Sequence, residues 1–179
     1  MSISDEHYSI IALAVTIIST ACIVPRPGFP LYQVIAESHG ASVVHYDLLP
    51  DKGWECDLDH LESILKTHGN GDGGGDDRPA FAAQPSSSNT IINNNKVVRG
   101  ILVNNPSNPT GAVYSKEHLL QIIKLAEKYH VPIIADEIYG DMTFGCGKKA
   151  FCAMANVAAS VGYSVPIITA SGLGKQCKF

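Results

Sequence analysis

Basic residues are scarce in this chain. Thirteen Lys and Arg stand against 17 Asp and Glu, for a formal net charge of −4, and the cations are scattered without interleaved aromatics. There is thus no basic stripe of the kind that neutralises a phosphate backbone, and no nucleic-acid partner is expected. Cysteine is also sparse. Cys22, Cys56, Cys146, Cys152 and Cys177 form no CxxC pair, and no His cluster at zinc-ligand spacing backs Cys146 or Cys152. No metal site is expected, and the odd, thin set suits a reducing compartment better than a disulfide framework. The cytoplasm is the expected location, with the mitochondrion as the alternative.

The run Tyr8–Val24, "YSIIALAVTIISTACIV", is the one stretch apolar enough to raise a signal peptide or membrane span. It lacks what either needs. Asp5, Glu6 and His7 precede it where a signal peptide carries Lys or Arg, and no clean small-x-small cleavage site follows. Its hydroxyl residues dilute it, and it is slightly short to span a bilayer. The expectation is a buried helix running into a strand, with no membrane partner; a membrane role for this run is the alternative.

What remains is a chain of 179 residues, 45% hydrophobic and 17% charged, long enough for one globular domain or part of a larger one. After the loop formers of "RPGFP", Tyr32, Ile35 and Ala36 recur at helical spacing, and Gly40 stands where a helix is closed by a C′ glycine. "ASVVHYDLL" predicts a strand. Asp57 predicts an N-cap for "LDHLESILKTH", with Leu61, Ile64, Leu65 and His68 on one face. Residues 69–96, rich in Gly, Asp, Ser and Asn, cannot bury enough apolar surface to offset their ordering entropy and are expected to form a low-complexity, disordered insertion. "GDGGGDD" within it is no phosphate loop, because its acids repel phosphate and no Lys-Ser/Thr pair follows.

Beyond the insertion, "VVRGILV", "VPIIADEIY" and "VPIITAS" predict strands, and "SKEHLLQIIKLAEKYH" a helix capped by Ser115. Leu119, Ile122, Ile123, Ala126 and Tyr129 form its inward face. β-Branched runs without polar alternation predict strands covered on both faces, hence a mostly parallel α/β sheet built of right-handed βαβ units.

The strand ends then carry the chemistry. In order they offer Phe29 after Pro-Gly, the amide-rich "VNNPSNPTG" (Val103–Gly111), Asp136 with Tyr139 three residues on, and Lys175 in "SGLGK". A lysine amine can form a Schiff base with an aldehyde, and a buried carboxylate can hold a heteroaromatic nitrogen protonated. Each residue also has a plain reading: Phe29 as a loop staple, Asn108 as turn punctuation, Asp136 as a helix cap or ion-pair member, Tyr139 as packing, Lys175 as a solvated surface lysine. Four strand ends bearing complementary groups make the joint coincidence the weaker account.

"VPRPGFPLY", "VNNPSNPTG", "ADEIYGDM" and "SGLGK" together resemble the class I aminotransferases that depend on pyridoxal 5′-phosphate (PLP), the tyrosine aminotransferases most closely. The resemblance implies part of the mostly parallel-sheet large domain of a fold-type I PLP-dependent transferase, spanning residues 1–179. It assigns Lys175 to the catalytic Schiff base and to proton movement. Asn108 and Tyr139 fall to the cofactor's phenolic oxygen, Asp136 to its pyridine nitrogen and Phe29 to stacking on its ring. The implied reaction moves an amino group from a tyrosine-like amino acid to a 2-oxo acid such as 2-oxoglutarate, in a protein that is a homodimer at full length.

Two departures set expectations of their own. The family's phosphate-binding Ser-Gly turn is replaced by "MSISDEHYSIIALA", and "KQCKF" stands where the family continues into Pro-Gly-Trp-Arg. The chain is therefore expected to be truncated at both ends, to hold the cofactor less tightly, at roughly 1.5–3 kcal/mol per lost charge-assisted hydrogen bond, and to show weak or no catalysis alone. A catalytically inactive, subunit-binding fragment is the first alternative. A PLP-dependent C–S lyase, sharing the same residues, is the second.

Overall fold

A computed structural model describes residues 21–68, 98–144 and 150–172. Its described elements are β1 (Ala21–Arg26), α1 (Leu31–Ser38), β2 (Ser42–Leu49), β3 (Glu55–Cys56), α2 (Leu58–His68), β4 (Val98–Asn104), α3 (Lys116–Lys128), β5 (Ile133–Asp136), α4 (Met154–Val161) and β6 (Ile167–Ala170), with short 3-10 turns at Pro50–Lys52 and Gly140–Met142. Residues 8–20 of the N-terminal apolar run, the 69–96 insertion, Cys146, Cys177 and Lys175 lie outside the described residues.

The strands form one sheet in the order β3-β2-β1-β4-β5-β6. β2, β1, β4, β5 and β6 run parallel. Two-residue β3 pairs antiparallel on β2, through Leu48–Cys56 and Leu49–Glu55. The chain leaves β1 toward one side of the sheet and β4 toward the other, so the order reverses between these two strands. In an open α/β sheet that reversal opens a crevice at the strands' carboxyl ends, where ligands bind.

Pleat alternation sorts the side chains. Ile101, Val103, Ile133 and Ala135 join one core with Leu61, Leu65, Leu119, Ile122, Ile123 and Val157 from α2, α3 and α4. Leu102 and Ile134 face the other way and pack with Tyr32, Ile35 and Ala36 of α1. Burial of a Leu or Ile side chain contributes about 1.5–3 kcal/mol, so the first, larger cluster supplies most of the hydrophobic stabilisation.

Local signals explain the helix ends. The Ser115 hydroxyl accepts the His118 N–H at 3.1 Å, and the Asp57 carboxylate accepts the His60 N–H at 3.0 Å. Gly40 follows α1 with φ +76°, a conformation that costs other residues a Cβ clash. Three details differ from the sequence pattern. The strand expected over "VPIIADEIY" ends at Asp136, because the following residues turn. α4, for which the pattern gave no signal, fills the connection to β6. The last strand is not covered on both faces: Ile167 and Ile168 are half-buried and Thr169 is exposed, as befits the edge of the described sheet.

Candidate active site

The site begins with a steric constraint. A Cβ at Gly28 would lie 2.4 Å from the Pro25 carbonyl oxygen, so the turn after β1 closes only around glycine. That turn delivers Phe29 to the start of α1, where its half-buried ring packs edge-on against Tyr32, with centroids 5.7 Å apart and planes at 84°. From the second residue of α1, the Tyr32 hydroxyl donates to Asp136 Oδ2 at 2.5 Å.

Asp136 ends β5 on the same pleat as Ile134, hence on the α1 face, and is 2% exposed. Its Oδ1 accepts the Ile138 N–H at 3.2 Å, which bends the chain out of the strand. Burial first, then the Asp136 charge and its hydrogen bond, push the Tyr32 phenol far above the ordinary tyrosine range. Burial and the neighbouring Asp136 carboxylate thus favour the protonated phenol that donates this hydrogen bond. Tyr139 adds to this upward push, which places its phenol in the same neighbourhood.

The amide-rich loop divides its labour. Asn104 sits beside Asp136 in register. Its Nδ2 donates to the Asp136 carbonyl at 3.3 Å, and its Oδ1 accepts the Asn108 N–H at 2.6 Å. Asn105 donates its N–H to the same carbonyl at 3.0 Å and accepts the Tyr114 N–H on its side chain at 2.8 Å. Asn104 and Asn105 are therefore staples that fix the loop. Asn108 is different: its backbone is held, but no hydrogen bond engages its side-chain amide among the described residues, and it lines a cleft of about 880 Å³ with Tyr139. Met142 and Phe144 form part of the same wall, and Phe144 is fully exposed.

The structure thus brings Phe29, Asn108, Asp136 and Tyr139 to one edge. Neighbouring parallel strands β1, β4 and β5 deliver them, and β6 ends at that same edge through the Asp136–Ala170 register. Lys175, five residues beyond Ala170 in sequence, lies outside the described residues.

Residues 6–177 match the family model "Aminotransferase class I and II". The chain belongs to this family. A tyrosine aminotransferase of Dictyostelium discoideum is 41% identical over 154 residues, covering 86% of this chain and 28% of the relative. Among solved structures, an Escherichia coli aminotransferase superposes with a TM-score of 0.68 at 27% identity over 94% of this chain and 34% of its own length. A Leishmania infantum tyrosine aminotransferase gives 0.60 at 26% identity, over 86% and 33%. The chain therefore spans about a third or less of the aminotransferases it matches.

The donor set suits this family's cofactor, PLP. A buried carboxylate matches a protonated ring nitrogen, an amide with no hydrogen-bond partner among the described residues matches a phenolate oxygen, and an aromatic ring matches a flat heterocycle. Tyr32, Asn104 and Asn105 escaped the sequence reading as members of the site. Tyr32 stood out only as a helix-core residue; its place three residues after Phe29, on the first turn of α1, was the available signal.

Proposed function

We propose that this chain supplies the cofactor-binding core of a PLP-dependent aminotransferase, which moves an amino group from an aromatic amino acid to a 2-oxo acid such as 2-oxoglutarate. The observation that carries the reading is the buried Asp136 carboxylate, bonded to Tyr32 on the sheet edge that also bears Asn108. The likeness to tyrosine aminotransferases supports the choice of an aromatic donor. When bound, PLP provides an electron sink for the pair released as the substrate Cα–H bond breaks.

The chain's own residues would do the rest. Asp136 would keep the pyridine nitrogen protonated, since a nearby anion favours the cationic form. Tyr32, a fixed donor, would hold that carboxylate in place. Asn108 would donate to the phenolic oxygen and Tyr139 would share it. Phe29 would lie against the ring, and Lys175 would bind the aldehyde carbon and carry the proton taken from the substrate Cα. The two-fold partner expected of the full-length protein would complete the substrate site.

The test mixes the purified chain with PLP, records the visible spectrum, reduces with borohydride and maps the label by mass spectrometry. A visible band and a label on Lys175 are expected. Absence of both sinks the reading. Binding without conversion of tyrosine and 2-oxoglutarate would favour a non-catalytic cofactor-binding fragment.

A further inference from the structure

The turn that carries Tyr139 is attached to the fold at two points outside the cofactor residues described above. The first is Glu137. One residue beyond Asp136, it takes the opposite pleat and turns toward α4, where its Oε1 accepts the Met154 N–H at 2.7 Å. Met154 opens α4, and Ala153 at the N-cap position offers no side-chain acceptor. A helix lacking a cap of its own thus receives one from a carboxylate 17 residues earlier. The helix dipole favours an anion at that end. Through its backbone, Glu137 also donates to the Ala170 carbonyl at 2.9 Å, at the end of β6.

The second point is Gly140. A Cβ there would lie 2.7 Å from Phe151 Cε1, so the turn's bare backbone presses on the Phe151 ring three residues before α4. Between these anchors sits Tyr139, half-buried and facing the cleft. Inside the turn, Gly140 N–H donates to Glu137 O and Met142 N–H to Tyr139 O, each at 2.9 Å. α4 is itself a fixed post, held in the larger core by Met154, Val157 and Ala158.

We propose that Glu137 is a positioning residue: its carboxylate on the first N–H of α4, with the Gly140–Phe151 contact, fixes the turn that presents the Tyr139 phenol to the cleft. The inference rests on the reading in which Tyr139 meets the cofactor. Without the two anchors the turn keeps its internal bonds, the Ile138 N–H bond to Asp136 Oδ1 and the strand-end bond to Ala170, but it loses its ties to α4, and the distance of the phenol from the cofactor oxygen would vary. Glutamine keeps an oxygen where Met154 needs it and leucine does not, so the two substitutions separate the acceptor from mere bulk.

The test compares Glu137→Gln and Glu137→Leu by amide hydrogen exchange in the full chain. In Glu137→Leu, protection at Met154, Gly140 and Met142 falls about tenfold or more, as loss of a charge-assisted hydrogen bond predicts. Leu102 and Ile134 in the sheet hold theirs, and Glu137→Gln retains most of the wild-type protection. If Glu137→Leu does not fold, Gly140→Ala provides the second variant, since its methyl group must displace the Phe151 ring and loosen the same amides. Wild-type protection at Gly140 and Met142 in a folded Glu137→Leu or Gly140→Ala overturns the proposal. A second readout is the pH midpoint of the bound-PLP absorption, which Glu137→Leu shifts in the same direction as Tyr139→Phe, and Glu137→Gln leaves in place. No shift with Glu137→Leu also overturns it. If the wild type shows no PLP band, the functional reading fails, while hydrogen exchange still decides the role of Glu137.

Discussion

The Tyr32 hydroxyl lies 2.5 Å from Asp136 Oδ2, joining residues 104 apart in sequence, one on α1 and the other at the end of β5. This bond ties the aromatic end of the site to its carboxylate, and α1 to the far half of the sheet. Replacing Tyr32 with Phe preserves the ring and deletes the donor. The expected result is a loss of about 1.5–3 kcal/mol in urea unfolding, together with weaker PLP binding. An unchanged midpoint would show that the carboxylate is equally well held by its other contacts.

Asn108 and Asn104 make an informative pair. The Asn108 side chain bonds to nothing among the described residues, so Asn108→Ala should alter stability by no more than about 0.5 kcal/mol while weakening PLP binding. Asn104→Ala removes one buried and one part-buried hydrogen bond and should cost about 1–3 kcal/mol. Denaturant melts and spectroscopic PLP titrations on both proteins check the contrast. Equal stability losses would contradict the division of roles.

Gly28→Ala must push a methyl group into the Pro25 carbonyl, 2.4 Å away. The backbone has to move, at a cost of about 1–3 kcal/mol, and Phe29 moves with it. A melt and near-ultraviolet circular dichroism of the Phe29–Tyr32 pair would register both effects. An unperturbed spectrum would mean the turn reopens without disturbing the pair.

Alkaline pH should unfold the chain cooperatively. Burial pushes Tyr32, Tyr46 and Tyr114 well above the ordinary tyrosine range, and the Cys22 thiol up to about 12. Folded-state values above the unfolded ones mean that the unfolded chain releases these protons first. Their contribution is whole below the unfolded values, about 8.5 for Cys and 10 for Tyr, and is lost as pH climbs through them toward the folded values. Stability measured by denaturant from pH 7 to 11 should therefore decline above about pH 8.5–9, more steeply past 10. A flat profile would show that these side chains are hydrated in the folded chain.

Much of this architecture can be read along the chain because its causes are local. Ser115 and Asp57 announce their helices within three residues, and the apolar faces of α2 and α3 follow the 3.6-residue period. The strand-end placement of Asn108 and Asp136 follows from β-branched runs stopping at polar residues. What could not be read has causes at a distance. α4 is short, eight residues with only Met154, Val157 and Ala158 buried, and its cap arrives from Glu137 rather than from its own N-terminus. The role of Tyr32 depends on α1 and β5 lying across one face of the sheet, which no window of sequence contains. The structural parts of Asn104 and Asn105 likewise depend on β5 being in register beside β4.

The reversal of strand order between β1 and β4 has a consequence for synthesis. A growing chain lays down Phe29 and Tyr32 long before Asp136 exists, so the early half emerges from the ribosome with an aromatic ledge and no acid to meet it. Pairings so remote in sequence form late and slowly. In the proposed site, the cofactor ring would therefore meet both its aromatic and its carboxylate only after β5 has docked beside β4.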